Sequence, residues 1–285
     1  MINYLKFNNA QLPLLLCITI LIIGCTRSIT TDDTINDQVI EDEIIETTID
    51  GYLVIEALPE EVSDITWAPN SDTYTECDWG NSCTYSSGKL KSKTSWTYGK
   101  FEIRARIPSA NIMWPAIWML PVAEQTTDET IWPYAGEIDI MEYFGYAENE
   151  LRGSVHTTNN NGGSAPSNAI IDTTGSTEFH SYILIWTETK IEIYLDDTDD
   201  ITQRILVWNF GTATDTNGDG YDDNYPFTEP FYLILNLAVG GSGWLDQLSS
   251  PEFDYSTEQL LEIDYVRVYQ TDSNGNYELV WNDEF

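Results

Sequence analysis

Short runs in which apolar and polar residues alternate recur from Tyr52 onward, at residues 52–57, 101–107, 181–186, 191–195, 231–237 and 263–269. Their period of two, their β-branched and aromatic content, and the Gly, Asn, Asp and Ser clusters between them predict strands. Helical periodicity is nearly absent, with one helical turn expected around Thr257 to Leu261. This pattern predicts an all-β fold, a β-jelly-roll sandwich of two antiparallel sheets. A chain of 285 residues suits one such domain, and no internal repeat is visible.

The first 50 residues have a different texture. Lys6 precedes an apolar run from Leu12 to Ile23 that is too short for a comfortable membrane span, and the run closes on Gly24-Cys25. The junction resembles the lipobox of bacterial lipoproteins, in which the signal is cut before a cysteine that becomes lipidated. An ordinary signal peptide with an incidental cysteine is the alternative. The expected organisation is therefore a signal peptide at 1–24, lipidated Cys25 with an acidic flexible tether at 25–50, and one domain at 51–285. Such a protein is exported and held to a membrane by its lipid alone, in the periplasm or at the outer cell surface.

Setting aside Cys17 and Cys25 leaves Cys77 and Cys83, which outside the cytosol are expected to form a disulfide closing a small loop. Two reduced thiols are the other reading, and the chain supplies no further soft ligands for a metal. The formal charge of −35 excludes nucleic acid as a natural partner and disfavours anionic membrane faces and sulfated glycans. A neutral polysaccharide is the better match.

The most informative segment is Glu137-Ile-Asp-Ile-Met-Glu142. In a regular strand Glu137 and Asp139 share a face and Glu142 points to the other. One extra residue, a β-bulge at Ile140-Met141, returns Glu142 to the face of its neighbours. Three carboxylates gathered on one face repel one another, which is hard to explain as structure. Retaining glycosidases need two carboxyl groups about 5 to 5.5 Å apart, one to attack the anomeric carbon and one to protonate the leaving oxygen. The two glutamate α-carbons would lie about 13 Å apart on a flat strand, so the strand is expected to curve around a concave cleft.

Residues 132–145, Trp-Pro-Tyr-Ala-Gly-Glu-Ile-Asp-Ile-Met-Glu-Tyr-Phe-Gly, resemble the signature of glycoside hydrolase family 16 in its bulged, laminarinase-like form. Residues 98–108, 114–121, 179–186, 231–241 and 264–269 are similar to further blocks of that family, in the family's order. The resemblance implies a concanavalin-like jelly roll with a concave substrate cleft, Glu137 as nucleophile, Glu142 as general acid/base and Asp139 as the group tuning them. It implies retaining endo-hydrolysis of β-1,3-glucan such as laminarin, or of mixed β-1,3/1,4-glucan, by a monomer needing no cofactor for chemistry. The same chemistry on another algal polysaccharide such as agar, or a non-catalytic glycan-binding module, are the alternatives.

Sugar rings present apolar C–H faces, so a glucan cleft needs aromatic platforms and hydrogen-bond donors. Trp114, Trp118 and Trp132 match family tryptophans, Trp118 with an equal claim to be core. His156, Arg104, Asn236 and Trp244 complete the expected substrate contacts. His156 is placed near the acid/base, and Arg104 on the polar cleft face of its strand.

Asp215, Asn217, Asp219, Tyr221 and Asp223 have the spacing of a calcium loop without an EF-hand's closing glutamate. A solvated acidic turn is the other reading. The resemblance also implies a second structural calcium near Gly51 and Asp264. Finally, residues 277–285 resemble the family's opening strand, displaced to follow the last one, with residues 270–277 turning the chain back as a hairpin. A circular permutation accounts for this, as does a truncated tandem domain. In either case residues 26–50 do not resemble the family segment that helps build one side of the cleft, so weak binding of long glucans is expected.

Overall fold

The computed structural model describes residues 51–63, 82–110, 112–122, 132–147, 149–209, 226–239 and 259–285, without the side chains of 59–63 and 82–86. The signal, Cys25, the tether, Cys77, the 215–223 loop and Trp244 lie outside the described residues.

The described chain folds almost entirely as strands: β1 (Leu53–Ser63), β2 (Ser82–Ser86), β3 (Lys89–Trp96), β4 (Gly99–Arg106), β5 (Met113–Pro121), β6 (Glu137–Tyr143), β7 (Glu150–His156), β8 (Ser167–Ile171), β9 (His180–Trp186), β10 (Lys190–Leu195), β11 (Arg204–Asn209), β12 (Phe231–Val239), β13 (Gln259–Thr271) and β14 (Tyr277–Glu284). Two short 3-10 turns, Gly162–Ser164 and Ile201–Gln203, are the helical exceptions. No described helix is long and apolar enough to cross a membrane. The helical turn expected up to Leu261 is replaced, from Gln259, by the start of β13, where Leu261 and Ile263 alternate into the core.

Two antiparallel sheets form. One has the order β11-β10-β9-β4-β13-β1-β2, with β14 added beside β13, and the other the order β3-β12-β5-β6-β7-β8. Their inner faces meet in one core that includes Phe101, Ile103, Ile117, Met119, Ile138, Tyr182, Trp186 and Phe231. The alternation on β4 is complete: Phe101, Ile103 and Ala105 are buried while Glu102, Arg104 and Arg106 face outward.

The long strand β13 serves two strands on one flank. Its residues 259–263 pair with β1 and its residues 265–271 with β14, which reaches it through a tight turn. Asp272 organises that turn, its carboxylate accepting the backbone N–H of Asn274 and Asn276 at 2.8 Å each. Leu53 pairs with Ile263 and Glu284 with Tyr265, so β14 and β1 lie end to end in one line and run the same way. β14 is bonded inward by Trp281, whose ring lies 5.4 Å from that of Trp96. Replacing Trp281 with alanine is expected to cost about 2 to 3 kcal/mol in urea unfolding, less than for a fully buried tryptophan because the ring is half-buried. A loss below ~0.5 kcal/mol would show β14 to be an appendage.

Candidate active site

Strand β6 carries the bulge. Against β7, Asp139 pairs with Ser154 and Glu142 with Arg152, three steps on one strand for two on the other. Against β5 the register slips at the same place, with Trp118 opposite Asp139 and Ala116 opposite Glu142. The two extra-register residues, Ile140 and Met141, are both fully buried in the core. Glu137, Asp139 and Glu142 are thereby left together on the outer face of the six-stranded sheet. Each apolar side chain of the segment goes inward and each carboxylate outward, which a regular strand could not achieve.

The approach to β6 is a tight turn through Trp132 to Ala135. Gly136 ends it with φ +89°, and a Cβ there would meet Pro226 at 2.8 Å and Phe227 at 3.0 Å, so only glycine fits. This turn lays the Trp132 indole against the strand it introduces.

Each terminal carboxylate is met by an indole. Trp132 Nε1 donates to Glu137, and Trp114 Nε1 donates to Glu142 Oε1 at 3.1 Å. Asp139, 3% exposed, accepts from the Ser154 hydroxyl, which also lies 3.4 Å from Glu142 Oε2. His156 Nε2 sits 3.0 Å from Asp139 Oδ2, while the Gly162 backbone N–H donates to His156 Nδ1 at 3.1 Å. That second bond fixes the tautomer: Nδ1 is the acceptor, so Nε2 carries the proton and donates it to Asp139.

The electrostatics follow from crowding. Burial and then the Asp139 charge push the Glu142 carboxyl up to about 8, against smaller opposing effects from the Trp114 and Ser154 hydrogen bonds and the Arg152 charge. Burial and Asp139 likewise raise Glu137 well above the usual carboxylate range, with the Trp132 hydrogen bond opposing. The arrangement therefore holds Glu142 protonated near neutrality.

Glu137, Asp139 and His156 also place one ligand atom each within 4.8 Å of one another, a spacing that could hold a metal. The donor set does not fit one. His156 Nε2 carries a proton, and freeing its lone pair would break the Gly162 bond.

The other expected contacts divide. Trp114 and Trp118, four residues apart, share the outer face of β5, and Trp118 Nε1 donates to Asn236 Oδ1 at 2.7 Å. Asn236, on β12 opposite Ala116, faces the same way. Trp132 is 40% exposed with its ring 5.8 Å from His156. His156 stands opposite Glu137, beside the nucleophile position and away from Glu142, which corrects its expected place. Arg104 is a clearer correction. It lies on β4, on the outer face of the other sheet, paired with Asp264, because strand alternation sets a face but not which sheet owns it. The carboxylate of Asp264, expected near a second calcium, is held by Arg104. Ser154 and Arg152 were not foreseen, although Ser154 stands two residues before His156 and shares its face by strand periodicity.

A β-sandwich face with two indole-capped carboxylates beside a third defines a glycan-processing site. Residues 60–266 match Glycosyl hydrolases family 16, and the chain belongs to that family. It is 41% identical over 190 residues, 65% of this chain and 63% of the relative, to a Beta-glucanase of Rhodothermus marinus. It is 36% identical to a Keratan-sulfate endo-1,4-beta-galactosidase of Sphingobacterium multivorum over 70% of this chain and 44% of the relative. The chain thus spans less than two thirds of either relative. Among solved structures, the laminarinase from Rhodothermus marinus superposes with a TM-score of 0.57 at 37% identity, covering 81% of this chain and 79% of that one.

The raised carboxyl pKa of Glu142 has a stability consequence. Unfolded, the group ionises near 4.5; folded, near 8, so its contribution is intact below pH 4.5 and is lost progressively as pH rises to about 8. Glu142→Gln, which never ionises, is expected to be more stable than the parent, with a gain growing from pH 4.5 and levelling off near 8. Thermal melts across pH 4 to about 9 check this, and a gain independent of pH would contradict it.

Proposed function

We propose that the chain is a retaining endo-hydrolase of β-1,3-glucan, or of mixed β-1,3/1,4-glucan, acting through a covalent glycosyl-enzyme on Glu137. The observation that carries the reading is the bulge that returns Glu137 and Glu142 to one face, each under an indole N–H. Protonated Glu142 gives its proton to the glycosidic oxygen as Glu137 attacks the anomeric carbon, and the aglycone leaves. Glu137 attacks as the carboxylate, the form that the Trp132 N–H favours. Glu142, now ionised, then takes a proton from water, which releases the sugar with its configuration retained.

The Beta-glucanase relative and the laminarinase neighbour support a glucan substrate. The galactosidase relative supports the same chemistry on a galactan. The −35 charge weighs against a densely sulfated polymer. A non-catalytic binding module has no use for three crowded carboxylates whose ionisation the fold opposes. The chemistry needs no cofactor; calcium at 215–223 would be structural. The end-to-end line of β14 and β1 supports a permuted order of the family's strands.

Product analysis on laminarin, mixed-linkage glucan and agarose tests the reading. Oligosaccharides of retained β configuration are expected from laminarin, with Glu142→Gln slower by about 10²- to 10⁴-fold and Glu137→Gln without measurable turnover. Equal, negligible cleavage by parent and Glu137→Gln would sink the enzyme assignment, and cleavage of agarose alone would sink the substrate.

The exported lipoprotein reading rests on residues 12–25. In a Gram-negative expression host, the protein should fractionate with membranes and Cys25→Ala should move it to the soluble or secreted fraction. Recovery of both forms in the soluble fraction would leave Cys25 an incidental cysteine.

A further inference from the structure

Aromatic rings open to water are unevenly placed. Among the described residues the exposed aromatic side chains are Trp132, Tyr134, Tyr146 and Tyr277. All but Tyr277 flank the catalytic strand β6, Trp132 and Tyr134 leading into Glu137 and Tyr146 following Glu142. Trp132 is accounted for by its bond to Glu137. Tyr146, 42% exposed, has no part in the chemistry described above.

The backbone sets the place of Tyr146. The Gly145 N–H donates to the Met113 carbonyl at 3.0 Å, which ties the end of β6 to the start of β5. The Ala147 N–H turns back to the Phe144 carbonyl at 2.7 Å, and the Glu150 N–H bonds the Ala147 carbonyl at 3.0 Å on the way into β7. Tyr146 is a central residue of the first of these turns. Three rings then form a row, with Trp114 5.1 Å from Phe144 and Phe144 5.8 Å from Tyr146. The row starts at the acid/base, because Trp114 Nε1 donates to Glu142. Phe144 in the middle is buried, whereas Tyr146 at the far end is open.

We propose that Tyr146 is a specificity-determining residue, the platform for the second sugar on the leaving side of the bond that is cut. This rests on the reading that the chain is a retaining endo-β-glucanase acting through Glu137 and Glu142. In that reaction the nucleophile attacks one face of the anomeric carbon, and the leaving oxygen departs from the other, towards the acid. The leaving sugar therefore lies on the Glu142 side of the attacked one. Trp114, bonded to Glu142, borders the first leaving sugar, and Tyr146, two ring contacts further out, borders the next. A tyrosine suits that place, since its flat face packs against the apolar C–H face of a sugar and its hydroxyl bonds a sugar hydroxyl. The preferred substrate is then a glucan with at least two sugars beyond the cleaved bond, which favours internal cuts over release of single units.

Tyr146 also covers Phe144, and shielding a buried ring is the other reason for an aromatic residue there. That role needs only apolar cover, which a leucine supplies without a flat ring.

Laminarihexaose carrying an isotopic label at its reducing end tests the proposal, with mass spectrometry showing which bond is cut by the parent, Tyr146→Leu, Tyr146→Ala and Tyr146→Phe. The readout is the ratio of cuts that release two or more leaving sugars to cuts that release one. It is internal to each active molecule and insensitive to how much of a variant folds. In the leucine and alanine variants the ratio is expected to fall by about tenfold, the worth of one good aromatic contact, while the phenylalanine variant keeps most of it. An unchanged ratio in Tyr146→Leu would overturn the platform and leave the ring a cover for Phe144. A shift in the opposite sense would overturn its placement on the leaving side. If the parent cuts no laminarihexaose, the catalytic reading fails by itself. Affinity electrophoresis in laminarin then decides the sugar contact: weaker retardation of Tyr146→Leu than of the parent supports it, and equal or absent retardation overturns it.

Discussion

One inserted residue in β6 governs the rest of the site. Without the bulge at Ile140-Met141, Glu142 would enter the core between sheets packed through Ile138, Ile117 and Phe231, a buried charge the fold could not hold. With it, Ile140 and Met141 both go inward and three carboxylates are delivered outward. The apolar demand of the core and the chemical demand of the site are met by the same backbone irregularity. Neighbouring strands then inherit their roles from the register it creates. Ser154 is opposite Asp139, Arg152 opposite Glu142, His156 opposite Glu137, and Trp118 and Ala116 opposite Asp139 and Glu142 on the other side.

Gathering the carboxylates has a cost that the surroundings distribute unevenly. The two indoles, the Ser154 hydroxyl and the Nε2–H of His156 all donate, and all of them therefore favour the charged forms. Burial and mutual repulsion outweigh these donors at Glu142, which stays protonated near neutral pH. The backbone of Gly162 enters this balance at one remove, by deciding which histidine nitrogen faces Asp139. A fold optimised for stability alone would not hold such a cluster, and functional sites are where such local conflicts are expected.

Much of this was legible in the sequence because it is local. The period of two marks most strands that carry the core, and the spacing of Glu137, Asp139 and Glu142 by itself requires a bulge. The misreadings were of relations between distant residues. Arg104 shows the alternation expected of an outward residue, but nothing in residues 101–107 says which of two sheets the strand joins. Trp118 could be read as core or cleft until Asn236, 118 positions away, was seen to accept its indole N–H. The residues near Leu261 failed for a different reason, since a few residues support either period and tertiary pairing with β1 decided the matter.

The displaced Arg104 has a place of its own in this architecture. Strand β13 changes partner along one flank, from β1 to β14, between Ile263 and Tyr265, and its pairing with β4 slips at the same point. The residue at the slip is Asp264, whose carbonyl accepts the Phe285 N–H at 3.2 Å and whose carboxylate is held by Arg104. A half-exposed ion pair contributes little to global stability. Here its position matters more than its strength, because it ties β4 to the one residue of β13 where two strands, far apart in sequence, meet end to end. The pair thus braces the junction of β1 and β14 in the eight-stranded sheet, while the bulge and its carboxylates lie on the other sheet.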